Sequence, residues 1–600
     1  MDKIRESLLK KSVASKIERR GKAISLVCLA LIVGIVFLIF YFVASRGLAT
    51  FFQNHINLWQ FLSGTQWNPG TVGTNGQPAV GALPMIVGSF LITILSALIA
   101  TPFAIGTAVF MTEISPRRGA KILRPVTELL VGIPSVVYGF IGLQVVVPFV
   151  RNTFGGSGYG ILSWTFVLFV MILPTVTSMT ADALNSVPRY YREASLALGA
   201  TRWQTIYKVV LRAAIPGMLT AVVFGMARAF GEALAVQMVI GNATLLPHNL
   251  VSPAATLTSI LTMGIGNTVM GSLQNNALWS LAMILLLMSL VFNLVIRYIG
   301  RKGKLNHEAK RIDKIATGVL YGVAAFVVII LVALLGYILI QGVPKISWHF
   351  LTSPALAFEA GGGIGIQLFN SFYLLFLALL ISLPISLGAG IYLNEYAPQN
   401  TVTGLIRTTI EILSSLPSVV VGLFGYLFFV VQFKLGFSIL SGAFALTVFN
   451  LPILTRSIEE ALANISDNQR EAGYALGLSR WETVTKIVVP AALPSILTGV
   501  VLSAGRIFGE AAALIYTAGQ SAPALDFGNW NPFDISSPLS PLRPAETLAV
   551  HIWKINSEGI MPDAKAVSAG ASAVLIIAVL LFNFLARWLG KRLYKHLTAE

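Results

Sequence analysis

Two arginine–glutamate pairs stand out in an otherwise apolar sequence, and their chemistry suits the handling of an anion. Arg228 and Glu232 lie within one apolar stretch, and Arg506 and Glu510 repeat the spacing Arg-x-Phe-Gly-Glu in another. Residues four positions apart share one face of a helix. A charge at membrane depth costs about 2.5 to 3.5 kcal/mol on insertion scales, so such residues face a protein interior or a water-filled path.

Two interpretations of these pairs are open. In the first, Arg228 and Arg506 converge from two parts of the chain and bind an oxyanion transiently, because a guanidinium group offers the bidentate geometry that lysine lacks. Glu232 and Glu510 would then hold the arginine side chains and prevent tight anion binding. In the second, each pair is a structural ion pair that joins two helices.

A second polar feature, a proline–serine pair, also occurs twice in apolar surroundings. Pro134 and Pro417 are each expected to break or kink a span. The hydroxyl groups of Ser135 and Ser418 could then line a polar path, or they could satisfy the backbone of an ordinary kink. Both alternatives stay open at this point.

These motifs belong to a long internal repeat. Residues 193–217, EASLALGATRWQTIYKVVLRAAIPG, return as residues 471–495, EAGYALGLSRWETVTKIVVPAALPS. A repeat of this length means two copies of one structural unit. Gly199 and Gly477 are expected to form a sharp turn in each copy, because glycine tolerates left-handed backbone conformations.

The ends of the repeated segment carry further predictions. Glu193 and Glu471 are expected in the first turn of a helix, where a carboxylate suits the positive end of the helix dipole. Pro216 and Pro494 are expected near the start of the next apolar helix, where a missing N–H costs little.

Composition places the chain in a membrane. Of its 600 residues, 55% are hydrophobic and 11% charged, and the mean hydropathy is +0.77. The net charge of +17 comes from basic loops beside apolar spans, which the positive-inside rule explains better than nucleic-acid binding. The single cysteine, Cys28, excludes an intramolecular disulfide and a cysteine metal site. The six histidines are scattered without metal-ligand spacing. The sequence also shows no nucleophile–base set of the kind that a membrane enzyme would need.

Apolar runs predict six spans in each half, in the same order and orientation. Two such halves are related by an axis along the membrane normal. We expect a first repeat at 1–300, a cytoplasmic linker at 301–315 and a second repeat at 316–600. The basic segments fall on one side, which predicts that both termini are cytoplasmic and that 519–566 is an outer loop. The predicted spans are 23–44, 80–111, 126–150, 160–180, 214–240, 276–297, 316–341, 366–393, 405–433, 437–456, 492–518 and 567–588.

The repeated segment resembles the EAA loop of ABC-importer permeases, which forms a short cytoplasmic helix in a groove of the ATPase subunit. The resemblance implies that this chain couples to its ATPase through both copies. The positions that match the motif are Glu193, Ala194 and Gly199 in the first copy and Glu471, Ala472 and Gly477 in the second.

Further motifs resemble the phosphate-specific transport permeases. GIPSVVYGF and ARAFGEALAVQMVIGNA are similar to the C-type subunit, and SLPSVVVGLFGY and GRIFGEAAALIYTAG to the A-type subunit. The resemblance implies an all-α polytopic helical bundle of about twelve spans, the type I ABC importer permease fold. In it, two commonly separate subunits are fused. It implies phosphate import by alternating access across a bacterial or archaeal cytoplasmic (inner) membrane.

The same resemblance implies the partners. They are two copies of an ATPase subunit that use ATP and Mg, an extracytoplasmic phosphate-binding protein and the lipid bilayer. No cofactor is expected in this chain, which has no G-x-x-x-x-G-K-[ST] motif and is not expected to be an enzyme. Another oxyanion such as sulfate or molybdate stays open, as does a role toward a phosphate-sensing regulator. A non-ABC channel or secondary transporter would leave the twin loops unexplained.

Overall fold

The computed structural model of the chain describes residues 13–72, 78–116, 118–301, 313–356, 358–558 and 561–598. In this part of the chain, eleven helices are long and apolar enough to cross a membrane. A bent pair, Thr401–Ser414 with Ser418–Gln432, gives up to twelve. The predicted all-α bundle of about twelve spans is confirmed. The predicted linker at 301–315 lies almost wholly outside the described residues.

The first half consists of helices joined by short connections. Several of these helices continue into one turn of π-helix. Its elements in chain order are α1 Val13–Gly47, α2 Ala49–Phe52, α3 Leu58–Ser63, β1 Trp67–Val72, β2 Pro78–Val80, α4 Leu83–Val109 with π-helix Phe110–Ile114, α5 Arg118–Val131, α6 Ser135–Ile141 with π-helix Gly142–Val146, α7 Val147–Phe154, α8 Ile161–Asn185, α9 Arg189–Ala197, α10 Arg202–Thr205 with π-helix Ile206–Val210, α11 Leu211–Phe230, α12 Leu234–Val239, α13 Leu257–Gly264 with 3-10 helix Ile265–Asn267, and α14 Leu273–Arg301.

The second half repeats the order of the long helices, but its described residues include no strand and no counterpart of α7. Its elements are α15 Asp313–Gly342 with 3-10 helix Val343–Lys345, α16 Trp348–Thr352, α17 Gly365–Ile391 with π-helix Tyr392–Tyr396, α18 Thr401–Ser414, α19 Ser418–Gly425 with π-helix Tyr426–Gln432, α20 Ile439–Ala463, α21 Asp467–Ala475, α22 Arg480–Thr483 with π-helix Val484–Val488, α23 Val489–Phe508, α24 Ala512–Ile515, α25 Leu548–Glu558 and α26 Ala564–Thr598.

The first helix of each half crosses over to the other half. Helix α1 packs against α14 of its own half and α17 of the second half, and α15 packs in the equivalent way against α26 and α4. The outward faces of these two helices are apolar, with Phe37 69% and Ile329 64% exposed. Lipid tails satisfy such side chains at membrane depth. The two repeats therefore form one interlocked bundle.

The third span of each half is broken at its proline–serine pair, as predicted. In the second half, the helices on either side of Pro417 meet at 94°. In the first half, α5 ends at Val131 and α6 begins at Ser135. Each proline has an extended ψ angle and directly precedes the first residue of the new helix. No hydrogen bond of that helix needs an N–H group at this position, so proline is tolerated there.

The two ends of the bundle differ in structure. The end that carries residues 189–205 and 467–483 is called here the EAA end. The opposite end, the hairpin end, carries the antiparallel pair β1 and β2, in which Trp67 pairs with Val80. The sequence analysis did not predict this small sheet. The hairpin end also carries residues 519–547, which contain turns and extended chain, and then helix α25.

Candidate functional site

Residues 189–205 and 467–483, called here the EAA units, each form a helix, a tight turn and a second short helix. The backbone is left-handed at Gly199 (φ +79°) and at Gly477 (φ +78°). Residues other than glycine pay a steric penalty in this region. The predicted sharp turn is confirmed in both copies.

A capping box starts the second helix of each EAA unit. In the first unit, the Gln204 N–H donates to Thr201 Oγ1 at 3.2 Å and the Thr201 N–H donates to Gln204 Oε1 at 3.0 Å. Ser479 and Glu482 form the same reciprocal pair in the second unit, at 3.3 Å and 3.1 Å. These bonds satisfy the free N–H groups at the helix start and fix the angle of the turn.

The residues that match the EAA motif lie on the surface of the units. All six are exposed: Glu193, Ala194, Gly199, Glu471, Ala472 and Gly477. Two leucines beside the turns are unusually uncovered for apolar side chains, Leu198 at 89% and Leu476 at 78%.

The glutamates occupy a different place in their helices from the one predicted. Helix α9 begins at Arg189 and α21 at Asp467, so Glu193 and Glu471 are each the fifth residue. The first-turn prediction is wrong, because both helices begin one turn earlier than the motif does. In α21, Asp467 is the carboxylate in the first turn.

The two prolines at the end of the repeat also lie deeper in a helix than predicted. The helical segment starts at Arg202 or Arg480 and continues through a π-helical turn, so Pro216 and Pro494 are interior residues of α11 and α23. The prediction missed the short helix that precedes the π-helical turn.

Each EAA unit is anchored by an arginine that the sequence analysis missed. Arg192 Nε donates to Glu113 Oε2 at 3.1 Å, and its terminal nitrogens donate to the carbonyls of Val187 and Leu184 at 2.7 and 2.9 Å. Those carbonyls lie at the end of α8, where backbone acceptors have no helical partner. The arginine therefore ties the unit both to α8 and to the end of the second span.

The second half repeats this anchor. Arg470 Nη2 donates to Glu395 Oε1 at 2.9 Å, and its terminal nitrogens donate to the carbonyls of Ile465 and Leu462 at 2.6 and 2.9 Å. A signal was available in the sequence, because both copies read Arg-Glu-Ala and both acids lie in the repeated Glu-x-x-Pro segment at the end of the second span.

The central arginines lie where a helix ends, and not in the middle of a span as predicted. Helix α11 ends at Phe230 and α23 at Phe508, one residue before the glycine of the motif. Glu232 and Glu510 therefore follow the helix end in non-helical chain, and the predicted shared helical face is wrong.

The arginines and glutamates of this centre have separate partners. Arg228 Nη1 donates to Thr175 Oγ1 at 2.6 Å, and the Arg506 guanidinium lies 4.6 Å from the centre of the Phe449 ring. In the described part of the chain, neither arginine forms a salt bridge with the glutamate of its own motif. The direct ion pairs that both interpretations assumed are therefore not formed, although each glutamate carboxyl group still interacts electrostatically with the arginine of its own motif.

The serine hydroxyls interact with the glutamates. Ser135 interacts with the Glu232 carboxyl group, and Ser418 interacts with that of Glu510. Glu510 Oε1 also accepts from the Ala513 N–H at 3.3 Å. The broken third span and the broken fifth span of each half thus meet at one polar point.

The two halves meet at this same centre. A Cβ atom on Gly231 would lie 3.1 Å from Pro417 of the other half, and one on Gly509 would clash with Pro134. Arg506 interacts electrostatically with Arg228 across the interface. The Arg506 side chain is nonetheless exposed and that of Arg228 is half-buried, so neither guanidinium group is fully enclosed by the protein. The structure thus brings the six predicted path residues to one interface.

Comparison with known protein families gives the class of protein. The pattern of the family described as "Binding-protein-dependent transport system inner membrane component" matches residues 100–304 and again residues 382–598. The chain belongs to this family. Each half of this inner membrane component carries one complete EAA unit and one Arg-x-Phe-Gly-Glu motif within its matched range.

Individual relatives are consistent with this family. The chain is 54% identical over 288 residues to the probable ABC transporter permease protein YqgI of Bacillus subtilis (strain 168), covering 48% of this chain and 98% of that protein. It is 34% identical over 260 residues to the phosphate transport system permease protein PstC of Mesorhizobium japonicum, covering 40% of this chain and 77% of that protein.

One relative matches across both halves. The chain is 27% identical over 543 residues to the phosphate transport system permease protein PstA homolog of Mycoplasma pneumoniae, covering 78% of this chain and 80% of that protein. These relatives are transport components rather than enzymes, and this inner membrane component is a multi-pass membrane protein like them.

Proposed function

We propose that this chain supplies both permease halves of an ATP-driven importer of inorganic phosphate. The observation that carries the proposal is the pair Arg228 and Arg506. Each half contributes one of these arginines to the central interface, and neither is fully buried. Guanidinium groups bind phosphate oxygens in a bidentate manner. Two relatives that are named phosphate permeases support phosphate as the oxyanion.

The proposed cycle assigns a role to each end of the bundle. Two ATPase subunits, which use ATP and Mg, bind the EAA units from the cytoplasm, and both termini of the chain lie on that side. A phosphate-binding protein delivers its ligand at the hairpin end. ATP-driven closure of the ATPases pulls the two EAA units together and opens the path outward, and hydrolysis returns it inward.

The arginine anchors suit this role in force transfer. Arg192 connects the first EAA unit to Glu113 at the end of the second span, and Arg470 connects the second unit to Glu395. A displacement of either unit therefore moves a spanning helix of the same half. Arg192 contacts both carboxylate oxygens of Glu113, and Arg470 places two N–H groups on one oxygen of Glu395. Both charge-assisted contacts restrict geometry, and so restrict the direction in which a displacement is transmitted.

The orientation can be tested by labelling single cysteines in a Cys28→Ser background. Leu198→Cys and Leu476→Cys are expected to react with an impermeant maleimide only from the cytoplasm. Phe533→Cys, at a side chain 90% exposed in residues 519–547, is expected to react only from outside. Labelling of either leucine position from outside would contradict the proposed topology.

The coupling role can be tested at the two turn glycines. Beyond the adjacent residues of the chain, no atom lies within 4 Å of the position that a Cβ on Gly199 or Gly477 would occupy, so a larger side chain would point into solvent. Gly199→Trp and Gly477→Trp should insert normally but block ATPase docking and abolish uptake. Alanine at the same positions serves as the control, since it adds only the backbone penalty of about 1–2 kcal/mol. Normal uptake in either Trp variant would refute the role of that unit.

The function as a whole can be tested by ATP hydrolysis. The purified chain with its ATPase should hydrolyse ATP faster when phosphate-loaded binding protein is added than when the empty binding protein is added. A complex that does not respond to the loaded binding protein would contradict the proposal.

A further inference from the structure

The two halves start an equivalent helix at the hairpin end in the same way. Helix α13 begins after Pro-Ala-Ala-Thr and α25 after Pro-Ala-Glu-Thr. The Leu257 N–H donates to Ser89 Oγ at 3.0 Å, and the Leu548 N–H donates to Ser371 Oγ at 2.9 Å. These matching bonds align the two halves residue by residue in this region.

On this shared framework, the second half carries polar and ionisable side chains where the first half is apolar. Glu546 stands where the first half has Ala255, and His551 stands where it has Ile260. The neighbouring helix differs in the same sense. Gln367 and Asn370 of α17 correspond to Met85 and Gly88 of α4.

The polar side chains of the second half form one buried network. His551 Nδ1 lies 3.1 Å from Glu546 Oε1, and Gln367 Nε2 donates to Glu546 Oε2 at 2.9 Å. Asn370 Nδ2 donates to the Glu546 backbone carbonyl at 2.9 Å. Both Glu546 and His551 are only 3% exposed. Burial raises the pKa of the Glu546 carboxyl group, but His551 and Lys554 outweigh this effect and lower the pKa overall.

The first half shows that the fold does not need this network. It makes the same helix start with apolar residues at the equivalent positions. Buried ionic groups are weak sources of stability, because their desolvation offsets much of their attraction, and apolar replacements are often neutral or stabilising. A role in position or movement therefore explains the network better than a role in stability.

The helix that this network anchors covers part of the proposed path. Helix α25 packs against α6 and α12 of the first half. The indole N–H of Trp553 on α25 donates to Gln237 Oε1 on α12 at 3.3 Å. Helix α12 directly follows Glu232, so α25 lies over the hairpin-end side of the central interface.

We propose that Glu546 and His551 are positioning residues of the transport path, whose pairing holds α25 in the register that places Trp553 on Gln237. In this arrangement, α25 of the second half is a fixed cover over the path. Helix α13 of the first half has no such network, so this side of the path is displaced more easily. The proposal deepens the proposed function and rests on it, because it assigns the cover to the same path.

The test exchanges the pair for the residues that the first half uses. Glu546→Ala/His551→Ile is expected to insert, to bind the ATPase and to hydrolyse ATP, while phosphate transported per ATP falls about tenfold or more. His551→Gln keeps a polar side chain beside Glu546 and is expected to retain the ratio within about twofold. Ile260→Val, a mild change at the equivalent buried position of the first half, is the control and should leave the ratio unchanged. An unchanged ratio in the apolar double variant would overturn the proposal.

A second readout separates this proposal from the proposed function. Amide hydrogen exchange of Leu548–Glu558 reports the position of α25 without any transport measurement. In the complex that holds the double variant, these amides are expected to exchange about tenfold faster than in the unaltered complex, while α13 is unaffected. Equal exchange would overturn the positioning role. Faster exchange in a protein that does not carry phosphate would leave the positioning role intact and contradict only the substrate.

Discussion

Replacement of Arg228 or Arg506 by lysine is expected to lower ATP-driven phosphate uptake about tenfold to hundredfold. One charge-assisted hydrogen bond contributes about 1.5–3 kcal/mol, and each 1.36 kcal/mol corresponds to about a factor of ten in rate. Lysine keeps the charge but loses the planar fork that binds two oxygens. At position 506, lysine also keeps a cation that can lie over the Phe449 ring. A loss of uptake in Arg506→Lys is therefore due to the missing planar guanidinium group.

The measurement is initial uptake of radiolabelled phosphate, with ATPase binding checked on the same preparation. Arg151→Lys is the matched control, because Arg151 lies at the end of α7 and donates to the Ser157 carbonyl, away from the central interface. Its uptake should be unchanged. Normal uptake by both path variants would mean that the arginines have no role in substrate passage.

The second large effect is expected at the anchor of the second EAA unit. Arg470→Met removes the partner of Glu395, whose side chain is 3% exposed and would stay buried and charged. Breaking such a buried pair costs about 3–5 kcal/mol of the free energy of unfolding. The unit would also lose its bonds to two carbonyls at the end of α20, so ATP hydrolysis and uptake should be uncoupled.

The equivalent pair in the first half provides a matched comparison for this prediction. Arg192 and Glu113 are more exposed, at 22% and 9%, so Arg192→Met should destabilise the protein less than Arg470→Met. Arg470→Met/Glu395→Leu should recover part of the stability, because no charge is left unpaired. Chemical unfolding in detergent measures the stability of all three. Equal stability of the single and double variants would show that the Glu395 pair is not buried in the way described.

The sequence predicted the repeated architecture and the location of both functional regions, for physical reasons that can be named. Spans are recognisable as apolar runs, because lipid demands them over about 20 residues. The turns at Gly199 and Gly477 were predictable, because a repeated glycine between two helical patterns points to left-handed backbone. The break at Pro417 was predictable, because proline cannot continue a helix without loss of a hydrogen bond.

The details that escaped prediction depend on contacts between distant parts of the chain. The end of α11 at Phe230 was missed, because the apolar run continues past Glu232 and gives no local sign of a break. The anchors of Arg192 and Arg470 span 79 and 75 residues, and only the fold brings their partners together. The Trp481 N–H donates to Glu18 Oε2 at 2.6 Å across 463 residues, a contact that follows from the crossing of α1 to the other half.

The most direct test of the central claim is uptake of radiolabelled phosphate into vesicles that hold this chain, its ATPase and its binding protein, with sulfate and molybdate as competitors. The predicted result is uptake that requires ATP and that neither competitor reduces. Uptake without ATP would contradict the coupled mechanism, and uptake blocked by sulfate or molybdate would contradict phosphate as the substrate.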